Sequence, residues 1–363
     1  MTIDKRLLTE RKKIDAIDAE IAQLIGKRVQ SVKKIGEIKK SGSHAIYRPE
    51  RESQIFRRML NLNKNSGFPD KVFLLIFREI ISACRSVESP LTVAYLGPDT
   101  TFTSKAAVMQ FGRSSVFKPY STIADVFSEV GSENVNFGVV PIENSTEGIV
   151  NHTLDLLMDH DLYIISEIFL SIHQNLMSRE TKLENIKKVA SHIQCFGQCR
   201  NWLRNYLPNA KLIEFSSTSE AAGYVKNRKG MAAIASKEAA GKYGLTIIHK
   251  HIEDNPDNHT RFAVLSKNQK PARSGNDKTS ILFTVPHKPG SLHAVLDSIS
   301  KYKLNMSKIV SRPSKQKSFE YSFFIDLEGH IDDTPVHNCI DLIRAKTLAL
   351  KILGSYPRGM MNR

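Results

Sequence analysis

Two cations eleven residues apart open the chemical reading of this chain. Arg28 and Lys39 are separated by close to three helical turns, so on one helix they share a face roughly 16 Å apart and can close on a small dianion between them. Arg28 also falls where the apolar register running from Leu24 calls for a hydrophobic residue, and a cation carried into a seam needs an anion. Arg11 does not share that face, so it reaches the site only from another helix or another subunit. A second set of candidates is made of hydroxyls. GPDTTFTS (97–104), PIENSTEG (141–148) and SSTSEA (216–221) each follow a short apolar run and precede a helical one. Such loops offer backbone N–H groups, hydroxyls and the positive end of a helix dipole, which together suit carboxylates. Ser217 with Glu220 also fits a capping box, so helix capping alone accounts for any single junction, whereas three in one region point to an anion site. A third candidate is Thr260-Arg261-Phe262, where a turn-rich stretch runs into an apolar strand.

The elements that must position these groups follow from periodicity. From Leu7 to about Lys40 there is no proline, and Ile14, Ile17, Ile21, Leu24, Ile35 and Ile38 recur at three-four spacing, which predicts one helix of more than thirty residues. A helix that long needs partner helices or a second copy of itself. A second helix opens at Arg48-Pro49-Glu50-Arg51-Glu52, with proline in its first turn, and a third runs from about Asp70 to Glu88, with Cys84 and Glu88 one turn apart. After Glu88-Ser89-Pro90 short β-rich runs alternate with helical ones, the pattern of an α/β domain with a mostly parallel sheet. Residues 267–277 are polar, basic and broken by Pro and Gly, and read as a linker. The remainder has a βαββαβ order, that of a small ferredoxin-like α+β domain.

Composition bounds the partners. A chain of 363 residues with 41% apolar and 25% charged residues is expected to fold as two or three globular domains. A net charge of +15 would suit nucleic acid. The Lys and Arg are spread along the chain without a nucleic-acid signature, so multiply charged small acids are the expected partners. Cys84, Cys195, Cys199 and Cys339 form no CxxC pair, and neither a metal nor another cofactor is expected. The sequence shows no signal-peptide core and no run of about 18 apolar residues, so no membrane partner is expected and a reducing cytoplasm is.

Taken together, Arg11, Arg28, Lys39, Arg51 and Glu52 in three helices resemble the all-helical chorismate mutase family over residues 1–90. The resemblance implies a dimer of interlocked three-helix chains. Chorismate would be bound by Arg11 of a partner subunit, Arg28, Lys39, Arg51, Glu52 and Glu88. Arg28 and Arg11 would hold the carboxylates, Lys39 would donate to the ether oxygen and Glu52 would take the ring hydroxyl. Glu88 stands where the family often has Gln, and it imitates Gln as a donor only when protonated, so mutase activity is expected to favour mildly acidic pH. Arg48 and Cys84 replace the Asp and Ser of better-studied members, and no role is carried over to them.

The ordered motifs GPDTTFTSKAA, PIENSTEGIVNHTLDLL, SHIQCFGQC, SSTSEAA, AAIAS and Thr260-Arg261-Phe262 resemble the prephenate dehydratase domain over residues 91–268. That resemblance implies two α/β lobes, similar to type 2 periplasmic binding proteins, with the site in the cleft. It marks Thr260 as essential. Thr101, Thr103, Asn144, Ser145, Gln198, Ser217, Thr218, Arg261 and Phe262 are the expected contacts to prephenate. Thr100 stands where the first loop usually has Gly, so a left-handed backbone there would be strained. Pro289-Gly290-Ser291-Leu292 and Ser311-Arg312-Pro313 are similar to the effector motifs of phenylalanine-binding ACT domains, here over 278–357. Gly290, Ser291, Leu292, Ser311, Arg312 and Pro313 are the expected contacts to L-phenylalanine at an interface between two such domains, and Val310 replaces the usual Glu. The implied fold is therefore multidomain, and the implied assembly a homodimer or higher homo-oligomer. The rival readings are a dehydratase preferring arogenate and a non-enzymatic small-molecule sensor.

Overall fold

The computed structural model describes residues 3–40, 47–313 and 321–359. Its contacts fall into two units, one made of 1–48, 56–91 and 111–116, the other of 49–55, 92–110 and 117–363.

The first unit is helical. Helix α1 (Ile3–Lys40) is a single helix of 38 residues, about 57 Å long at 1.5 Å per residue. Helix α2 (Pro49–Asn63), whose residues 49–55 count with the second unit, begins on proline, whose missing N–H is no loss at a first-turn position. Helix α3 (Asp70–Glu88) follows a turn fixed by Asn63, whose Nδ2 donates to the Phe68 carbonyl at 2.8 Å and to Asp70 Oδ1 at 2.6 Å. Gly36 lets α1 approach Glu88, since a Cβ there would lie 2.9 Å from Glu88 Cγ. The apolar stripe of α1 is uncovered: Ile14, Ile17, Ile21, Leu24, Ile35 and Ile38 are 48–68% exposed. An exposed apolar stripe of this length is unusual for a helix packed only within its own chain.

The second unit starts with β1 (Thr92–Leu96), α4 (Phe102–Phe111), β2 (Val116–Tyr120), α5 (Ile123–Gly131), β3 (Phe137–Asn144), β4 (Gly148–Ile149), α6 (Asn151–Asp159) and β5 (Tyr163–Ser171). It crosses to a second lobe of β6 (Asn175–Ser178), β7 (Lys188–Ser191), α7 (Ile193–Gln198), α8 (Arg200–Tyr206), β8 (Lys211–Glu214), α9 (Thr218–Val225), β9 (Met231–Ala235), α10 (Lys237–Tyr243) and β10 (Thr246–His249). Strand β11 (His259–Ser266) then returns to the first lobe. The two sheets run β2-β1-β3-β11-β5 and β10-β6-β9-β7-β8. They are mixed rather than mostly parallel. Each lobe takes in a strand from a crossing between the lobes, so β11 runs antiparallel to both β3 and β5, and β6 antiparallel to β9. The crossings are stitched to each other: Ile172 N–H donates to the Asn258 carbonyl at 2.8 Å and Ile252 N–H to the Gln174 carbonyl at 2.9 Å.

The chain ends in β12 (Asp277–Val285), α11 (Ser291–Lys301), β13 (Met306–Pro313), β14 (Tyr321–Glu328), α12 (Thr334–Lys346) and β15 (Ala349–Pro357), with sheet order β13-β14-β12-β15. This is the expected βαββαβ topology. One face of the sheet buries Ile281, Phe283, Phe323 and Ile325 under α11 and α12. The other carries Leu282, Phe324, Leu353 and Tyr356 into the core of the first lobe. Gly354 permits that approach, because a Cβ there would come within 2.0 Å of the Ile164 carbonyl oxygen.

Candidate active sites

In the helical unit, α1 presents Arg11, Arg28 and Lys39, and Lys39 Nζ lies 3.3 Å from Glu88 Oε1. Arg28 Nη1 is enclosed and has no hydrogen-bond partner among the described residues. An enclosed guanidinium nitrogen without an acceptor is costly, and a carboxylate ligand would satisfy it. From Arg11 to Arg28 is 17 residues, about 25 Å of helix, so α1 cannot bring both of its own arginines to one ligand. Arg51 and Glu52 stand in the first turn of α2. Cys84 is buried.

Between the two lobes lies a cavity of ≈ 920 Å³. Of the expected contacts, Thr101, Thr103, Asn144, Gln198, Ser217, Thr218, Thr260 and Phe262 line it. Thr260 sits opposite Asn144 in the β3–β11 ladder, and Asn144 Nδ2 donates to Thr260 Oγ1 at 2.8 Å. With its oxygen held as an acceptor, the Thr260 hydroxyl hydrogen is available to the cavity. Asn144 is otherwise occupied. Its Nδ2 also reaches Asn258 Oδ1 and the His259 carbonyl, and its Oδ1 accepts from the N–H groups of Thr146 and Glu147. It therefore orients Thr260 and shapes the turn. Thr101 is likewise engaged, donating to the Leu96 carbonyl and accepting from Ser104 N–H.

Two expected prephenate contacts are placed elsewhere. Alternation along β11 points Thr260 and Phe262 into the cavity and Arg261 to the opposite face. There Arg261 is buried, with Nη1 2.6 Å from Asp326 Oδ2, Nη2 3.0 Å from the Tyr356 hydroxyl and Nε 2.7 Å from Glu167 Oε2. Burial works against its charge, but the acidic groups around it outweigh that and hold the guanidinium protonated. Lys278, 2.8 Å from Glu167, completes two cations against two anions. Ser145 is the second correction: its Oγ donates to the Asp257 carbonyl and accepts from His259 N–H, clamping the turn beside the cavity. Among the described residues no Lys or Arg lines the cavity; it offers hydroxyls, amides and the imidazoles of His152 and His192.

Only two of the three loop junctions lead into helix N-termini. At the second, β3 continues to Asn144 and hairpins into β4, and α6 starts at Asn151 without a side-chain cap. Ser217 does cap α9 by accepting from Glu220 N–H, but the Glu220 carboxylate is bound by the Ser216 hydroxyl at 2.5 Å, so the capping box is half formed. Thr100 does adopt a left-handed φ of 70°. The strain is offset by contacts to the other lobe, since its Oγ1 lies 2.6 Å from Ser219 Oγ and its carbonyl accepts from Ser236.

Several cavity residues were not expected from the sequence: Gln174, His192, Gln194, His152 and Glu147. Close to the crossings, His173, His251 and Glu253 gather metal-type ligand atoms. The two imidazoles are stacked at 4.2 Å with planes 6° apart, so their in-plane lone pairs run in parallel layers and do not converge on one ion.

At the C-terminal sheet, a cavity of ≈ 400 Å³ is lined by Pro286, Lys288, Ser291, Leu292, Tyr321 and Phe323 among others, and Gly290 caps α11 with φ 83°. Arg312 is not brought to it. The alternation of β13 turns Lys308, Val310 and Arg312 towards the first lobe, where Arg312 grips Asp155 on α6 at 3.0–3.2 Å. Ser311 and Pro313 are exposed on this edge strand.

The fold and cavities thus define a multidomain chain in which a helical module precedes a two-lobed α/β domain with a ligand-sized cleft. A family model for prephenate dehydratase matches residues 93–270, and one for chorismate mutase type II matches residues 10–89. The bifunctional chorismate mutase/prephenate dehydratase of Aquifex aeolicus is 45% identical over 355 residues, covering 97% of this chain and 98% of the relative. That of Pseudomonas aeruginosa is 40% identical, covering 99% and 100%. The solved prephenate dehydratase of Arthrobacter aurescens in complex with L-Phe is 34% identical with a TM-score of 0.69, covering 74% of this chain and 90% of that one. The chain belongs to the family of bifunctional chorismate mutase/prephenate dehydratases.

Proposed function

We propose that this chain rearranges chorismate to prephenate in its helical domain (1–90) and converts prephenate to phenylpyruvate in the two-lobed domain (91–268). The rearrangement needs no acid, base or covalent step, so the protein acts by holding a compact conformer and stabilising charge at the breaking ether bond. The unsatisfied nitrogen of Arg28 supports its role at a substrate carboxylate. Lys39 is the donor to the ether oxygen, Glu52 takes the ring hydroxyl, Arg51 supports binding, and Arg11 comes from a second copy. The length of α1 and its uncovered apolar stripe support that dimer. Glu88 shares in binding, its carboxylate 3.3 Å from Lys39 Nζ. Glu88→Gln keeps the shape and removes the negative charge beside Lys39, and is expected to raise the mutase rate several-fold at neutral pH; rate assays of the two proteins check it.

The observation that carries the dehydratase reading is the Thr260 hydroxyl, fixed by Asn144 and directed into the cleft. The C4–O bond breaks with its electron pair leaving on oxygen, the ring carboxylate departs as CO2, and the freed pair completes the aromatic ring. The departing oxygen takes a proton through Thr260, which is resupplied from solvent, so one proton is consumed per turnover. A threonine hydroxyl is too weak an acid to act alone, so its part is placement and relay. Ser217 and Thr218 at the start of α9, with Thr103 and Gln198, suit the pyruvyl carboxylate. Prephenate is favoured over arogenate because the mutase of the same chain makes it.

Residues 278–357 are proposed as an ACT-type sensor of L-phenylalanine, with Gly290, Ser291 and Leu292 of one copy facing Ser311 and Pro313 on the edge strand of another. The L-Phe complex of the Arthrobacter aurescens relative supports this. The reading also places the chain in the cytoplasm. Offering prephenate and arogenate separately, with and without phenylalanine, tests the proposal. Turnover of prephenate suppressed by phenylalanine is expected, and turnover of arogenate alone would overturn the substrate assignment.

A further inference from the structure

We infer that Gln174 is a direct substrate contact of the dehydratase cleft, its side-chain carbonyl accepting the hydrogen of the ring hydroxyl that departs. Gln174 lies on the crossing between β5 and β6 and is 3% exposed. Its backbone is pinned on both sides: its N–H donates to Glu253 Oε2 at 2.8 Å, and its carbonyl accepts from Ile252 N–H at 2.9 Å. Gln174 lines the same cavity as Thr260. There Nε2 donates to Gln198 Oε1 at 3.2 Å, while Oε1 is enclosed and has no hydrogen-bond partner among the described residues.

An enclosed amide oxygen without a donor is an unfavourable group that a ligand can satisfy. The chemistry of the ligand then selects the group. With both carboxylates ionised, prephenate carries one hydrogen-bond donor, the C4 hydroxyl; its carboxylate and ketone oxygens would be repelled by another carbonyl oxygen. A hydroxyl that gives its hydrogen to Gln174 turns its lone pairs away from that amide. One of them is then free for the Thr260 hydroxyl, which already has its own oxygen occupied by Asn144. Gln174 and Thr260 would thus hold the leaving group from two sides, one taking its hydrogen and the other supplying the proton that makes it water.

This inference rests on the dehydratase reading, and its test separates the two. The product phenylpyruvate keeps the pyruvyl carboxylate but has lost the ring hydroxyl, so it reports the rest of the cleft without the contact in question. Gln174→Met keeps the volume and removes the amide. In the full-length protein, kcat/KM for prephenate is expected to fall about 10- to 100-fold, the range for leaving one buried polar partner unpaired. The Kd of phenylpyruvate, measured by equilibrium titration, is expected to change several-fold less, since that ligand feels only the loss of the Gln174 Nε2 bond that orients Gln198. Gln174→Asn, which keeps an amide but draws the oxygen back by one methylene, is expected to show the same pattern and carries the test if the Met variant melts early. Equal losses for prephenate and phenylpyruvate would overturn the inference, because the residue would then serve the carboxylate or the lobe geometry. So would an unchanged kcat/KM. If the native protein does not turn over prephenate at all, the dehydratase reading fails before any variant is compared.

Discussion

Thr260→Ala is expected to lower phenylpyruvate formation by about 10²- to 10⁴-fold, the range for losing a positioned proton donor, while chorismate is still consumed at the native rate. The specificity of that expectation comes from the neighbours. Asn144 Nδ2 loses Thr260 Oγ1 but keeps Asn258 Oδ1 at 2.8 Å and the His259 carbonyl at 3.3 Å, so no buried donor is orphaned and the melting temperature should hardly move. Thr260→Ser restores a hydroxyl at the same position in the ladder and should recover most of the rate. Assays of prephenate accumulation and of phenylpyruvate on the same sample separate the outcomes. Loss of both activities would mean damage to folding, and an active Ala variant would remove Thr260 from the mechanism.

Arg261→Ala is expected to act on stability. It leaves Glu167 and Asp326, both nearly inaccessible, with Lys278 as their remaining cation, and breaking a buried pair from one side costs about 3–5 kcal/mol. In a unit of this size that corresponds to a fall in Tm of roughly 10 °C. Tyr356 adds to the cost. Its hydroxyl loses the Arg261 donor, and burial above all, with Asp326 beside it, keeps that hydroxyl protonated and neutral, so it adds no further anion to the cluster and supplies no cation. Because Asp326 and Tyr356 belong to the C-terminal sheet and Arg261 directly follows Thr260, the same variant should also lower dehydratase activity in the protein that remains folded. Thermal melts alongside rates normalised to folded protein check both halves. A variant melting like the native protein would show that the charge cluster is not needed for the fold.

The two kinds of residue differ in how visible they were beforehand. The span of α1, the proline start of α2, the bounds of α3 and the βαββαβ order follow from periodicity and punctuation, which are local. Thr260 and Phe262 were legible through the ordered motifs of the dehydratase resemblance, and both line the cleft. Arg261 between them was misplaced, since a motif gives the order of residues and not the face on which each one lands. A signal was present: Glu167 interrupts the apolar run Tyr163–Ser171, and Asp326 interrupts Tyr321–Glu328. A lone acid inside an apolar strand must find a cation, and Arg261 and Lys278 stand in similar runs. Arg312 was likewise expected from its motif alone, and the alternation of β13 turns it to Asp155. The extension of β3 through Asn144 and the mixed sheets depend on long-range pairing with β11, which no local pattern records. Gln174 lies in a short polar crossing with no periodicity, and its importance appears only once the cleft is built around it.

The central claim is that one chain carries chorismate through prephenate to phenylpyruvate. The most direct measurement gives chorismate alone to the purified protein and follows its disappearance together with phenylpyruvate. Chorismate is expected to vanish, phenylpyruvate to appear after a lag during which prephenate builds up, and phenylalanine to suppress the second phase. Folded protein that leaves chorismate untouched and also fails to turn over added prephenate would contradict the account.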